Sequence, residues 1–257
     1  MKIVTFNLRC PWEGADGING FINRAGQIVN KIRTEMPDVI CFQEATEKNR
    51  DFLEEALADY FFICNQRNSD FDGEGLMTAI NKKTVSILGL DFFWLSDSPY
   101  TPGSRFEIQS DCPRICQSLI LRSRSNGKIF RIYNNHLDHE SDTARISGIK
   151  LVFKKIAEDL KKLNAPFFIL GDFNALPDSE TINYCNNNTI LKTVDITKEI
   201  GGTWHDFGRL EAPMKIDYIF TDTETAQREI KLKVWTDQSS GIFLSDHYPI
   251  ELITDNI

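Results

Sequence analysis

The order of strand-like and helix-like segments constrains the fold of this chain more than any other feature of its sequence. Runs rich in Val, Ile and Phe, which favour strands, recur along its whole length. They lie at 2–7, 38–43, 59–64, 75–81, 84–95, 115–122, 128–135, 166–171, 215–220, 229–235 and 247–253. The order is strand, helix, strand, helix and several strands, and it then repeats. This order indicates sheets held between helical layers rather than an alternating βα barrel.

Two segments between these runs have the three- and four-residue apolar spacing of amphipathic helices. The first contains Ile22, Ala25, Val29, Ile32 and Met36, and the second contains Ile146, Ile149, Phe153, Ile156, Leu160 and Leu163. Further helices are predicted at 47–58 and near 178–186. The strand-like runs near 75–95 and 115–135 predict antiparallel hairpins, and Asn126-Gly127 is a typical hairpin turn.

Residues 97–114 fit neither pattern, and they include Pro99, Pro102 and Pro113. A loop of this length inside a compact domain is usually functional or mobile. No low-complexity linker divides the chain. We therefore predict that residues 1–257 form one domain.

The composition favours a folded protein that binds a small substrate. Hydrophobic residues make up 41% of the chain and charged residues 26%, which is ordinary for a globular protein. The formal net charge of -8 counts against a broad basic surface for long nucleic acid, because that binding mode needs many Lys and Arg residues facing phosphates.

The six cysteines have neither CxxC spacing nor matching His residues for zinc, and we interpret them as reduced thiols. Lys2 leads directly into the strand-like IVTF, without the apolar segment and cleavage site of a signal peptide. No run of about 18 apolar residues is present to span a bilayer. These features predict a cytoplasmic protein without membrane contact, and no obligate protein partner is evident.

Polar side chains stand where the apolar strand-like runs begin or end. These residues are Asn7, Glu44, His136, Asp172, Asn174, Asp246 and His247. A single polar residue at a strand end is usually a cap or a turn former. Strand ends in layered α/β folds converge on one edge, however, so this many placements together favour a shared cleft.

These residue types suit phosphate-ester hydrolysis, which requires neutralised phosphoryl charge, an activated water and a stabilised leaving oxygen. A hard cation such as Mg²⁺ supplies much of this and needs only one or two protein carboxylates. Glu44 is the first candidate ligand. A histidine with an acidic partner would supply a protonated donor, and Asp217 is the candidate partner.

Six motifs, taken in order, resemble those of the endonuclease/exonuclease/phosphatase superfamily. They are TFNLR at 5–9, QE at 43–44, NHLDH at 135–139, GDFN at 171–174, IDYIF at 216–220 and SDHYPI at 245–250. Each motif alone is weak, but the ordered set is specific. The resemblance, which is nearest to uncharacterised bacterial-type members and the deadenylase and nocturnin branch, implies a four-layer α/β/β/α sandwich with two mostly antiparallel, mixed sheets.

The resemblance also implies roles for individual residues. Asn7 and Glu44 would hold Mg²⁺ or Mn²⁺, with Asp246 as a further contact to the metal or to water. Asp172 and Asn174 would orient and activate the attacking water. His247, held by Asp217, would face the phosphate, and His136 would be a second donor to the phosphate or the leaving group.

Four neighbouring residues are weaker candidates for substrate binding. Arg9 would contact a substrate phosphate or remain a solvated strand-end residue. Arg114 and Arg145 would bind a second phosphate through paired guanidinium donors, or lie on the surface. Asp138 would line the pocket or only hold His136 in place.

Three functions remain open on this sequence. The first is a metal-dependent phosphatase or phosphodiesterase for a small phosphorylated metabolite, sugar phosphate or nucleotide. The second is a 3′ exonuclease or an endonuclease that acts on RNA or DNA. The third is a catalytically inactive binding module, which the intact set of candidate ligands disfavours. Family membership alone does not determine the substrate.

Overall fold

A computed structural model describes residues 1–11 and 14–255. Its strands are β1 (Lys2–Asn7), β2 (Val39–Ala45), β3 (Tyr60–Gln66), β4 (Gly75–Asn81), β5 (Val85–Trp94), β6 (Ile115–Ser123), β7 (Ile129–His136), β8 (Phe167–Asp172), β9 (Thr193–Asp195), β10 (Asp217–Asp222), β11 (Ile230–Val234), β12 (Gln238–Ser239), β13 (Ile242–Phe243) and β14 (Ile250–Thr254). Its α-helices are α1 (Phe21–Glu35), α2 (Glu47–Ala56), α3 (Asp142–Lys162), α4 (Glu180–Asn187) and α5 (Thr223–Ala226).

The predicted long elements are confirmed, and the short ones were missed. Each predicted strand and each of the four predicted helices is present within a few residues of its expected bounds. Strands β9, β12 and β13 and helix α5 were not predicted, because segments of two to four residues are too short to show a period. Residues 97–114 contain neither a helix nor a strand, as expected.

Two six-stranded sheets form the centre of the molecule, in the orders β11-β14-β1-β2-β4-β3 and β5-β6-β7-β8-β10-β9. Each sheet has one parallel pair, β1 with β2 and β7 with β8, and its other pairs are antiparallel. The two sheets therefore share one topology. Each parallel pair is connected through a long helix, α1 in the first sheet and α3 in the second.

Large apolar clusters join the layers. The inner faces of the two sheets pack together through residues such as Ile3, Cys41, Leu119 and Phe168. The outer face of the first sheet packs on α1 and α2, and the outer face of the second packs on α3 and α4. The predicted four-layer α/β/β/α sandwich is confirmed.

The central strands β1, β2, β7 and β8 are buried on both faces, which explains their nearly continuous apolar sequences. Gly171 in β8 adopts φ +135°, and a Cβ atom built there would lie 1.9 Å from the carbonyl oxygen of Asn135. Only glycine allows β7 and β8 to approach this closely. Asp172 is the next residue in the chain, so the close approach of β7 and β8 also sets the position of its carboxylate.

None of the helices in the described part of the chain is long and apolar enough to cross a membrane. All six cysteines fall among the described residues, and each is a free thiol.

Candidate active site

A cleft of about 500 Å³ opens where the ends of the two parallel strand pairs meet. The amide nitrogen of Asn7, at the end of β1, lies 3.0 Å from Oδ2 of Asp172, at the end of β8, so the two sheets touch at this edge. Six of the predicted catalytic and metal-binding residues line the cleft, namely Glu44, His136, Asp172, Asn174, Asp246 and His247. Asn7 and Asp217 lie directly behind them and hold them by hydrogen bonds.

Three residues of the cleft have left-handed backbone conformations. Arg9, Glu44 and Asn174 have φ values of 59°, 56° and 48°, in a region that costs a non-glycine residue about 1 kcal/mol or more. Glu44 lies in a bulge of β2, where the pairing with β4 shifts between Phe42 and Ala45. The bulge changes the direction of the strand and turns the Glu44 carboxylate towards the cleft.

Two hydrogen-bond donors hold the Glu44 carboxylate. Asn7 Nδ2 donates to its Oε1 at 2.9 Å, and the backbone amide of Cys10 donates to its Oε2 at 2.8 Å. Burial alone would raise the pKa of Glu44, but these two hydrogen bonds lower the pKa below its ordinary value. Glu44 is therefore a fixed anion at the edge of the cleft, as a ligand for a hard cation should be.

Asp172 is the most central carboxylate of the cleft. Its Oδ1 accepts from the backbone amide of Asn174 at 2.8 Å, and its Oδ2 lies 3.6 Å from Nε2 of His136. The pKa of Asp172 is raised to about 7, mainly by burial and secondly by the negative charge of Asp217. A carboxylate with such a pKa is suited to accept a proton near neutral pH.

Two of the histidines that line the cleft, His136 and His247, differ in charge. The pKa of His136 is well below its ordinary value, mainly because of burial and secondly because of the positive charge of Arg114. His136 is therefore neutral. His247 donates from Nδ1 to Oδ2 of Asp217 at 2.8 Å. Burial alone would lower the pKa of His247, but the charge and hydrogen bond of Asp217 raise it to about 10. Of these two residues, only His247 is therefore an imidazolium at neutral pH.

Asp246 and Arg9 form the side of the cleft next to Glu44. Ser245 Oγ donates to Oδ1 of Asp246 at 3.1 Å, and Arg9 Nη1 lies 3.9 Å from Oδ2 of Asp246. Burial raises the pKa of Asp246. Arg9 lines the cleft, but its guanidinium also donates to Asp16, at 3.2 Å and 3.3 Å. Asp16 thus occupies Nε and Nη2 of Arg9, whereas Nη1 lies beyond hydrogen-bonding distance of Asp246, and the predicted contact with a substrate phosphate stays a prediction.

The predicted substrate-binding residues Asp138 and Arg145 do not line the cleft. The Asp138 carboxylate accepts hydrogen bonds from the Ser110 hydroxyl and from the backbone amides of Glu140 and Ser141. Arg145 donates to the carbonyl oxygen of Asp138 and to the Asp142 carboxylate. These hydrogen bonds stabilise the start of α3. They also engage the side chains of both residues within the protein.

Arg114 lines the cleft as predicted, and Arg67 and Glu74 join it unexpectedly. Arg67 directly follows β3 and Glu74 directly precedes β4, while Gly75 of β4 pairs with Ala45 at the cleft end of β2. Both residues thus stand at strand ends, as the predicted site residues do, but neither belongs to one of the six motifs.

Two groups of side chains offer donor atoms that converge as metal ligands do. In Glu44, His136 and Asp172, and again in Asp172, Asp217 and His247, one donor atom from each residue lies within 4.8 Å of the others. The first group faces the cleft and contains two carboxylates. Its buried negative charges are of the kind that a bound cation compensates.

A four-layer sandwich with paired carboxylates, an imidazolium and a neutral imidazole at the joined ends of its sheets defines the class of metal-dependent phosphoesterases. The chain belongs to the Endonuclease/Exonuclease/phosphatase family, whose sequence model matches residues 4–247. Members of this family depend on divalent metals and include phosphatases and nucleases.

Several solved structures share the fold. An endonuclease/exonuclease/phosphatase from Bacteroides vulgatus is 25% identical with a TM-score of 0.88, and the match covers 99% of this chain and 98% of that one. A mannosyl-6-phosphatase from Bacteroides thetaiotaomicron is 22% identical with a TM-score of 0.83 and 98% of both chains covered. The human nocturnin catalytic domain with a bound sulfate anion is 16% identical with a TM-score of 0.73, and 98% and 92% of the chains are covered.

Proposed function

We propose that this protein is a phosphatase that hydrolyses a small phosphorylated molecule, such as a sugar phosphate or a nucleotide, with Mg²⁺ or Mn²⁺ as its cofactor. The observation that carries the proposal is the cleft itself. Its volume of about 500 Å³ lies within the range of about 300–1,000 Å³ that is typical of small-molecule sites. Asp172, His247 and the buried Arg114 all line this one cavity.

The donor atoms around Glu44 fit a hard divalent cation. Glu44 and Asp172 offer carboxylate oxygens, and Asn7 Nδ2 bridges them at 2.9 Å and 3.0 Å. In this arrangement a single amide nitrogen separates two acids. A cation beside Glu44 would compensate these charges, and Glu44, Asp172 and Asp246 would hold it through carboxylate oxygens, as Mg²⁺ prefers. Asn7 would position these ligands, because its Nδ2 donates to Glu44 and Asp172 and its Oδ1 accepts from the backbone amide of Arg9.

When bound, the cation supplies electrostatic stabilisation of the phosphoryl oxygens. The chain itself positions the attacking water and the proton donors. Asp172, with its raised pKa, accepts the proton of the water, and the Asn174 side chain, fixed by a 3.1 Å hydrogen bond to the carbonyl oxygen of Leu137, orients that water.

His247 supplies positive charge to the phosphoryl group. Its Nδ1 donates to Asp217, so the N–H group at Nε2 faces the cleft. The Nε2 atom lies 3.8 Å from Oδ2 of Asp172. An imidazolium held in this way stabilises charge that develops on the phosphoryl oxygens without having to reorient. His136, which is neutral, offers one N–H to the leaving oxygen.

Nuclease activity is the alternative within the same chemistry. The net charge of -8 and the size of the cleft favour a small substrate, whereas a polymer would need an extended basic path. The proposal treats residues 1–257 as one catalytic domain, and the family match over residues 4–247 supports this.

One panel of substrates tests the proposal. We expect Mg²⁺-dependent release of inorganic phosphate from p-nitrophenyl phosphate and from sugar phosphates, and little shortening of a labelled oligonucleotide. Efficient oligonucleotide cleavage without turnover of small esters would contradict the proposal. A folded protein that cleaves neither class of substrate would instead favour the inactive binding module, whereas measured Mg²⁺ binding would count against that module.

A further inference from the structure

Four charged or polar residues form a second cluster in the wall of the cleft, here called the arginine cluster. It consists of Arg67, Glu74, Arg114 and His139, and all four line the same cavity as Asp172. They come from the ends of four strands, because Arg67 follows β3, Glu74 precedes β4, Arg114 precedes β6 and His139 comes soon after β7. The proposed chemistry of hydrolysis uses none of them.

The cluster carries more positive than negative charge. Glu74 Oε1 forms a close ion pair with Arg67 Nη1, whereas Arg114 Nη1 lies 4.0 Å from the same oxygen, beyond hydrogen-bonding distance. Arg114 Nη2 lies 3.0 Å from Nδ1 of His139. Because a guanidinium has no acceptor, Nδ1 must be the acceptor and His139 must be neutral in this contact. One carboxylate therefore faces two guanidinium groups.

Arg114 is buried without sufficient partners. The residue is only 4% exposed, and no acceptor among the described residues hydrogen-bonds its Nε or its Nη1. The Nε of Arg67 lacks a partner in the same part of the structure. The pKa of Arg114 is lowered, mainly by burial and secondly by the positive charge of Arg67. This direction is expected for a cation whose charge is not fully compensated by acidic partners. A buried unpaired cation is costly, and it is retained more easily where a ligand neutralises it.

We infer that the substrate carries a second anionic group, a phosphate or a carboxylate, and that Arg114 and Arg67 bind it in this cleft. The inference rests on the proposed phosphatase function and narrows its substrate class to doubly anionic molecules. Guanidinium groups match phosphate and carboxylate oxygens with paired donors. Glu74 orients Arg67 and leaves Arg114 as the main uncompensated charge.

Competition against a reporter reaction tests the inference. Hydrolysis of p-nitrophenyl phosphate in the presence of Mg²⁺ is the reporter, and the competitors are glucose 6-phosphate, glucose 1,6-bisphosphate and 6-phosphogluconate. All three carry a phosphate on carbon 6. Carbon 1 bears a hydroxyl in glucose 6-phosphate and a second phosphate in the bisphosphate, whereas in 6-phosphogluconate, an open-chain molecule, carbon 1 is oxidised to a carboxylate. We expect at least one doubly anionic competitor to have an inhibition constant about tenfold below that of glucose 6-phosphate, equivalent to one charged contact.

Three variants assign this preference to the cluster. Arg114→Gln should reduce the ratio of the inhibition constants to about twofold or less. The reason is that glutamine cannot make the charged contact with the second anionic group. Glu74→Gln should widen the difference, since it removes the only carboxylate of the cluster, and a purely structural role would not produce this opposite sign. Arg105→Gln is the matched control, because Arg105 lies on the same loop as Arg114 but pairs with Asp111 outside the cleft.

The outcomes distinguish the two claims. Equal inhibition by all three competitors, or an unchanged preference in a folded Arg114→Gln protein, would contradict the second anionic group and leave the phosphatase proposal intact. A preference for the bisphosphate alone would identify a phosphate, and a preference shared by 6-phosphogluconate would identify general anion binding. If p-nitrophenyl phosphate were not hydrolysed under any metal condition, the proposed function would be wrong and the inference would fall with it.

Discussion

His247 Nδ1 lies 2.8 Å from Oδ2 of Asp217, and this contact joins the two sheets at the cleft. Asp217 is the first residue of β10 in one sheet, and His247 precedes β14 in the other. Both residues are buried, with 2% and 5% of their surface exposed. The carboxylate keeps the imidazole protonated and fixes its orientation. In the proposed mechanism, Asp217 therefore acts only through His247.

The variant Asp217→Asn should move the alkaline limit of activity to lower pH. The pKa of His247, raised to about 10, falls when the charge of Asp217 is removed, so the imidazolium loses its proton at a lower pH. The pH profile of kcat/KM and the imidazole signals in NMR spectra would report this change. An alkaline limit that stays in place would show that His247 is not the group that must be protonated.

The variant Asp172→Asn should mainly lower turnover. Asparagine keeps the shape of the side chain but cannot accept a proton from water, so we expect kcat to fall by about 10²–10⁴-fold with a small change in KM. Steady-state kinetics on p-nitrophenyl phosphate would measure both constants. Asp178→Asn, at an exposed position in the loop after β8, is the matched control. Unchanged turnover in Asp172→Asn would contradict the assignment of Asp172 to the water.

The variant Glu44→Gln should weaken binding of the metal. The substitution removes the charge of a fixed carboxylate, and we expect the Mg²⁺ concentration for half-maximal activity to rise by about tenfold or more. Activity measured over a series of Mg²⁺ concentrations tests this, with Glu54→Gln on the exposed face of α2 as control. A lower maximal rate with an unchanged Mg²⁺ requirement would point to a different role for Glu44.

The variant Asp138→Asn should destabilise the fold by about 1–3 kcal/mol, because the amide cannot replace all the hydrogen bonds of the carboxylate to Ser110, Glu140 and Ser141. Urea denaturation would measure the loss. Asp111→Asn is the control, since the side chain of Asp111 is 99% exposed in the 97–114 loop that also contains Ser110.

The destabilisation should also depend on pH. Burial alone would raise the pKa of Asp138, but hydrogen bonds, first that of Ser110, lower it. A lowered pKa in the folded state stabilises the protein above the unfolded value of about 3.9, and this stabilisation is lost as the pH falls through the folded value. The difference between wild type and Asp138→Asn should therefore shrink in acid. A difference that is constant from neutral pH into acid would contradict the role of the charge.

The sequence by itself determined the layers and the edge at which the site forms. Strands such as β8 and helices such as α3 bury long apolar surfaces, and this burial produces a period that is visible without any partner. Glu44 and Asp172 lie at the ends of two such strands, β2 and β8. Their location at the cleft is a local consequence of where the strands end, and the sequence therefore predicted it.

The tertiary structure alone decided which polar groups are used inside the protein and which face the cleft. Arg114 and Arg145 looked equivalent in the sequence, yet Arg145 is bonded to Asp138 and Asp142 while two nitrogens of Arg114 lack partners in the described structure. Arg67 and Glu74 reach the cleft because the β3-β4 hairpin places them beside Arg114. Long polar side chains have no period that marks their direction, and their partners come from segments far apart in the chain. Only the packing of the two sheets determines which of them remain free to bind a substrate.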